Sequence, residues 1–244
     1  MKIDILGIKI DDTPKRDILK IIEAKLEAQE KIFIATPNPE MIILAQKDEA
    51  FKKILNSADI SVPDGFGLKI GAKVLGKKLS SRIPGVDLMV DICKNGAGRY
   101  KAYLLGGEKG IARRAAENLK SKMPKLLIVG AEFGGQMDSW DNRVIIEHIN
   151  AVKPDLLFVA LGQGKQEKWI FKNLKYLPTV KLAMGVGGAF DFISGKIQRA
   201  PKWMRVIGME WLWRLMLEPQ RIGRIFNAVV AFPMVCWKKK SRDK

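Results

Sequence analysis

Short runs of four to six mostly apolar residues alternate along the chain with longer stretches in which apolar positions recur every three to four residues. The runs at Lys31 to Ala35, Asp59 to Val62, Ala102 to Leu105, Leu126 to Val129, Leu156 to Ala160 and Leu182 to Val186 predict strands. The longer rhythm predicts helices over Glu40 to Gln46, Glu49 to Ser57, Ile111 to Met123, Val144 to Val152 and Gln166 to Leu174. Ile3 to Ile10 reads as one further strand. Thr13-Pro14 then predicts a helix running to about Gln29, with the threonine hydroxyl as cap and proline at the first helical position. Strand and helix alternate throughout, and the strands are too apolar to lie half in water. The expected class is α/β, a Rossmann-like and mostly parallel sheet flanked by helices. Right-handed crossovers gather the loops that follow the strands along one edge, where open α/β sheets bind ligands.

Those loops read TPNPEM, VPDGFG, GGEKG, GAEFGG, LGQGKQE and GGAFD. Asp64 stands just after a strand between proline and glycine, a rigid mount for a carboxylate that could accept a proton from an attacking hydroxyl. The same residue could equally be a turn former or a helix cap, and Asp191 after GVGGAF carries the same two readings. Arg82, in SRIPGVD, could clamp a pyrophosphate or remain a solvated charge. Gln166 opens a helix, where its amide can reach a sugar or base, while Glu167 beside it can complement the helix dipole. GGEKG could offer amides to a phosphate or form a plain turn; it is not the full dinucleotide fingerprint, and no acidic ribose ligand follows it.

Composition changes the picture at the far end. The formal charge is +17, and from Lys196 onward twelve lysines and arginines stand against Glu210, Glu218 and Asp243, so about half of the net charge lies in the last fifth of the chain. Such a balance points to polyanionic partners. The same segment carries Trp203, Trp211, Trp213, Phe226 and Trp237 among its cations. That pattern suits a helix lying on an anionic membrane surface; single-stranded nucleic acid and simple burial of the tryptophans are the other readings. A division follows: 1–195 as an α/β core and 196–244 as a basic, tryptophan-rich appendage. Ile225 to Trp237 is too short to span a bilayer and contains Asn227 and Pro233. Exposed apolar surface there could also be buried between subunits of a homo-oligomer. The alternating N-terminus shows no export signal. Cys93 and Cys236 lie far apart, which argues against a zinc site and for a reducing compartment. A lone histidine, His148, within a helical pattern speaks against hydrolytic triads and histidine metal clusters. No DxD pair ends a strand, so a metal–nucleotide site is not indicated; no metal and no cofactor are expected.

Six segments taken together, TPNPEM (36–41), VPDGFG (62–67), RIPGVDL (82–88), LLGG (104–107), LGQGKQEKWI (161–170) and GVGGAFDFISGKIQRAPKWM (185–204), resemble the WecG/TagA/CpsF family of glycosyltransferases, family 26. The resemblance covers nearly the whole chain and is strongest to the TagA-type branch. It implies inverting transfer of N-acetylmannosamine from UDP-ManNAc to the C4 hydroxyl of GlcNAc-diphospho-undecaprenol, a β-1,4 bond made early in wall teichoic acid synthesis. It also implies a protein peripheral on the cytoplasmic face of the membrane, with no nucleic acid partner. By resemblance Asp64 is the base, Thr36 and Asn38 line the donor pocket, Arg82 and Gln166 lie near the diphosphate or sugar, and Asp191 lies near the nucleoside. Arg214, Arg221 and Arg224 match basic positions of the family's tail, which engages the membrane and completes the site. Pro219 breaks the tail helix between them, so their convergence is an expectation. At Gly164 family members often carry proline; with KQE intact after it, the expected effect is on loop stiffness alone. The alternative from another class is a basic membrane- or nucleic-acid-binding module that uses the α/β fold to sense a ligand without catalysis.

Overall fold

A computed structural model describes residues 1–133 and 141–242. Gly134 and Gly135 of the GAEFGG loop, with Asp243, lie outside the described residues. The strands are β1 (Lys2–Ile5), β2 (Ile8–Asp11), β3 (Ile32–Ala35), β4 (Ile60–Ser61), β5 (Lys101–Gly106), β6 (Leu127–Glu132), β7 (Leu156–Ala160) and β8 (Leu182–Gly185). The helices before the appendage are α1 (Lys15–Glu27), α2 (Pro39–Lys47), α3 (Glu49–Asn56), α4 (Gly67–Val74), α5 (Gly85–Gly96), α6 (Ile111–Lys122), α7 (Asn142–Val152), α8 (Lys165–Asn173) and α9 (Ala189–Ile193). The tail adds α10 (Lys202–Val206), α11 (Glu210–Leu217), α12 (Ile222–Phe226) and α13 (Phe232–Arg242).

Six strands form one parallel sheet in the order β4-β3-β8-β7-β5-β6. Its two faces are built by the period-two alternation of the strands. Ile32, Ile34, Leu104, Phe158 and Met184 pack with α1, α5, α6 and α9 in one core. Phe33, Tyr103, Leu105, Val159 and Ala183 pack with α2, α3, α4 and α8 in the other. The expected α/β class and its parallel sheet are therefore present.

Two local expectations are corrected. Ile3 to Ile10 is a hairpin, with β1 and β2 antiparallel and Ile5 opposite Ile8. The chain turns at Leu6 and Gly7, both at positive φ (53° and 82°), the conformation that two-residue hairpin loops need. Thr13 does not cap α1. Pro14 takes the cap position without any side-chain hydrogen bond, and the first helical residue is Lys15.

The tail begins outside the core and returns to it. Arg199 pairs with Asp87 of α5 through two contacts, 2.5 and 3.0 Å, and with Glu210 of α11 at 3.1 Å. At the other end Phe232 and Cys236 of α13 are fully buried in the second core and pack on α4, where a β-carbon on Gly71 would stand 2.3 Å from the Phe232 ring. Between these anchors the outer surface stays apolar: Trp203, Val206, Ile222 and Phe226 are each more than half exposed. No helix among the described residues is long and apolar enough to cross a membrane.

Candidate active site

At the carboxyl edge of the sheet the loops after β3, β4, β5, β7 and β8 surround an open cleft of about 350 Å³, and the tail closes one side of it. Thr36, Asn38, Asp64, Gln166, Asp191, Arg214, Arg221 and Arg224 all line this cleft. Residues dispersed over nearly two hundred positions thus meet because parallel strands deliver their following loops to one edge. Arg82 is placed differently: its guanidinium turns aside and donates to the Arg205 carbonyl at 2.7 Å, bracing the tail.

Asp64 is held from both sides. Its own N–H donates to the Pro37 carbonyl at 2.9 Å, which ties the β4 loop to the β3 loop. Its Oδ2 accepts the N–H of Gly85 at 3.2 Å, at the start of α5. Burial pushes the carboxyl up to about 6; the Gly85 hydrogen bond and Arg82 oppose this, and the charges of Glu210 and Asp87 add to it. A carboxylate so tuned is ionised at neutral pH yet basic enough to take a proton as a bond forms.

Thr36 is buried, its hydroxyl directed to the Gly185 carbonyl at 3.4 Å. The Asn38 side chain caps α2 by accepting from Met41 N–H at 3.0 Å and donates to Gln163 at 3.2 Å. Gln166 is almost fully buried: its carbonyl oxygen accepts the Gly187 N–H at 3.0 Å, and its amide donates to Glu167 at 2.7 Å. It therefore shapes the glycine loop as well as lining the cleft. Burial raises the Asp191 carboxyl above the aspartate range, against the pull of Lys196 and Arg214.

The Gly164 expectation is corrected by the backbone. Gly164 adopts a φ of 82°, which a proline ring cannot reach. Its N–H donates to Oε2 of the fully buried Glu167 at 2.7 Å. Proline has no such hydrogen, so glycine here selects a different loop path as well as a softer one.

Several residues that the sequence does not single out line the cleft or hold the tail beside it. Glu40 accepts from Gln163 at 2.5 Å and from Arg224 Nε at 2.8 Å, latching the tail to α2. Glu218 lies between Arg214 and Arg221, with an ion pair of 2.7 Å to each. Its spacing, four residues after Arg214 and three before Arg221, was a legible signal. Arg199 with Asp87 carried none, since 112 positions separate them.

The family model described as "Glycosyl transferase WecG/TagA/CpsF family" matches residues 3–244 of this chain. Two relatives from Staphylococcus aureus, of strains MRSA252 and NCTC 8325 / PS 47, are 33% and 32% identical to it over 246 residues, covering 100% of this chain and 95% of each relative. Both are named N-acetylglucosaminyldiphosphoundecaprenol N-acetyl-beta-D-mannosaminyltransferase.

Proposed function

Because the chain belongs to the WecG/TagA/CpsF family of glycosyl transferases, we propose that it transfers N-acetylmannosamine from UDP-ManNAc to the C4 hydroxyl of GlcNAc-diphospho-undecaprenol, with inversion at the sugar carbon. The product bond is β-1,4, an early step of wall teichoic acid synthesis. The names of the Staphylococcus aureus relatives support this acceptor and this sugar. The observation that carries the reading is Asp64 at the cleft wall, basic through burial and sharing one open cavity with three tail arginines.

In this reaction the acceptor O4 attacks the sugar's anomeric carbon as the bond from that carbon to the diphosphate oxygen breaks. The hydroxyl proton passes to the Asp64 carboxylate, and the electron pair of the broken bond leaves with UDP. Single displacement requires inversion. Charge builds on the leaving diphosphate, where Arg214, Arg221 and Arg224 can stabilise it more than they stabilise the bound donor. Arginine supplies this charge without a metal ion. Thr36 and Asn38 line the sugar side of the donor pocket, Gln166 fixes the loop beside it, and Asp191 lies toward the nucleoside; Arg82 supports the tail next to the diphosphate.

The functional boundary falls at 195/196, with the core supplying the base and residues 196–244 supplying the arginines and the membrane contact. The exposed Trp203, Phe226 and Trp237 enter the interfacial layer of the cytoplasmic leaflet, where the lysines around Lys239 meet anionic headgroups. The test is transfer from a small panel of UDP-sugars to a short-chain lipid-diphosphate GlcNAc acceptor, with the product linkage determined. UDP-ManNAc is expected to outpace UDP-GlcNAc and UDP-GalNAc, and transfer from another sugar at an equal rate would refute the donor assignment.

A further inference from the structure

Three arginines reach the cleft from the tail, and each is gripped at the same atom. Arg214 Nε donates to Glu218 Oε2 at 2.7 Å, and Arg224 Nε donates to Glu40 Oε2 at 2.8 Å. Arg221 Nε stands 2.7 Å from Glu218 Oε1, as an ion pair without a linear hydrogen bond. A guanidinium has two donor forks, a side formed by Nε with one Nη and an end formed by both Nη atoms. A carboxylate seeking the strongest pairing takes a fork with both oxygens, as Asp87 does with the Nη pair of Arg199. Glu218 instead gives one oxygen to each of two arginines.

The Nη ends are left over. Among the described residues no Nη of Arg214, Arg221 or Arg224 donates a hydrogen bond. Arg214 Nη2 is buried without a hydrogen-bond partner; its ion pair with Asp191 Oδ2 is long, at 3.8 Å, and it lies so close to the glycine loop that a β-carbon on Gly188 would stand 2.7 Å from it. A buried donor without an acceptor is unfavourable until something supplies one.

The local chain explains how Glu218 reaches both partners. It is the residue before Pro219, with φ −133° and ψ 73°, outside the helical region that proline disfavours for its predecessor. α11 must therefore end at Leu217. Arg214 stays one turn behind Glu218 and Arg221 lies just ahead, with the carboxylate between them.

We propose, resting on the reading of this cleft as the UDP-sugar donor site, that Glu218 is a positioning residue that holds Arg214 and Arg221 by their Nε atoms so that their Nη ends face the donor's diphosphate. A mere stand-in for the diphosphate would occupy the Nη ends themselves, the atoms a phosphate would use. Glu218 remains ionised as the role requires: burial works to raise its carboxyl, but Arg214 and Arg221 hold it below the glutamate range.

The experiment measures binding of UDP and of uridine to the full-length protein by calorimetry at fixed ionic strength, for wild type, Glu218→Ala, Glu218→Gln and Glu218→Asp, with the donor KM and kcat alongside. The expected result is about a tenfold weaker affinity for UDP in Glu218→Ala, with the donor KM raised in step. Uridine affinity should be unchanged, and Glu218→Asp should recover part of the loss. A purely structural role would weaken uridine and UDP equally. That outcome overturns the proposal, as does a Glu218→Ala protein that binds UDP as well as wild type or better. Should Glu218→Ala fail to fold, the isosteric Glu218→Gln carries the same comparison. Wild type that binds uridine and UDP equally would instead overturn the donor reading itself.

Discussion

Gly85 donates its N–H to Asp64 Oδ2 at 3.2 Å, and that hydrogen bond does not undo the effect of burial, which leaves the carboxyl at about 6. The base of the proposed reaction is thus held by a helix start that also carries Asp87, the anchor of Arg199. The rate should report this. kcat/KM for transfer is expected to fall on the acid side with a midpoint near 6, because the protonated carboxyl cannot accept a proton; a limb centred near 4 would mean that Asp64 is not the base.

Replacing Asp64 by Asn should lower kcat by roughly 10²- to 10⁴-fold without loss of fold. The sign of the stability change follows from linkage. The folded-state value lies above the ordinary aspartate value of 3.8, so this group favours the fold below about pH 4, and that contribution is lost as pH rises through 6. At pH 7.5 the neutral asparagine removes the burden of a partly buried charge, and Tm is expected to stay level or rise by about 3 °C. Near-wild-type transfer by this variant would refute the base assignment.

Gly164→Pro should cost stability where a change in loop stiffness alone would not. The substitution demands a negative φ and deletes the N–H that serves the buried Glu167 carboxylate. A loss of about 2 kcal/mol is expected, read as a lower urea midpoint, with UDP affinity reduced because Gln166 is bonded to Glu167 and to the Gly187 loop.

Phe232→Ala removes a fully buried ring from the second core and should destabilise the protein by about 3 kcal/mol or more. Trp203→Ala and Trp237→Ala, at rings 62% and 64% exposed, should leave Tm within about 1 °C yet reduce sedimentation with vesicles containing anionic lipid. Unchanged sedimentation would remove the support for the membrane reading of the tail.

Much of this architecture is legible in the sequence, for reasons that differ by element. The inner strands of the parallel sheet are dense apolar runs because both of their faces are covered, and a following loop rich in glycine or proline marks the edge where ligands bind. Asp64, Asn38 and Gln166 are readable for that reason. The first hairpin is hidden because Leu6, an apolar residue in a left-handed position, continues the strand pattern through the turn. Thr13 has the chemistry of a cap, yet Pro14 takes the place, so residue type alone misleads there. The pairs that fasten the tail are illegible for another reason. Arg224 and Glu40 are 184 positions apart, and no local pattern records such a contact.

The two anchors of the tail, Arg199 on α5 and Phe232 on α4, make the segment between them a strap fixed at both ends. Much of the entropy lost in ordering that strap is therefore spent when the protein folds and is not charged again at each round of substrate binding. A strap of this kind can bow outward, but it cannot swing away as a free arm would. Spent nucleotide would then have to leave through the open side of the cleft, past arginines paired with Glu218 and Glu40.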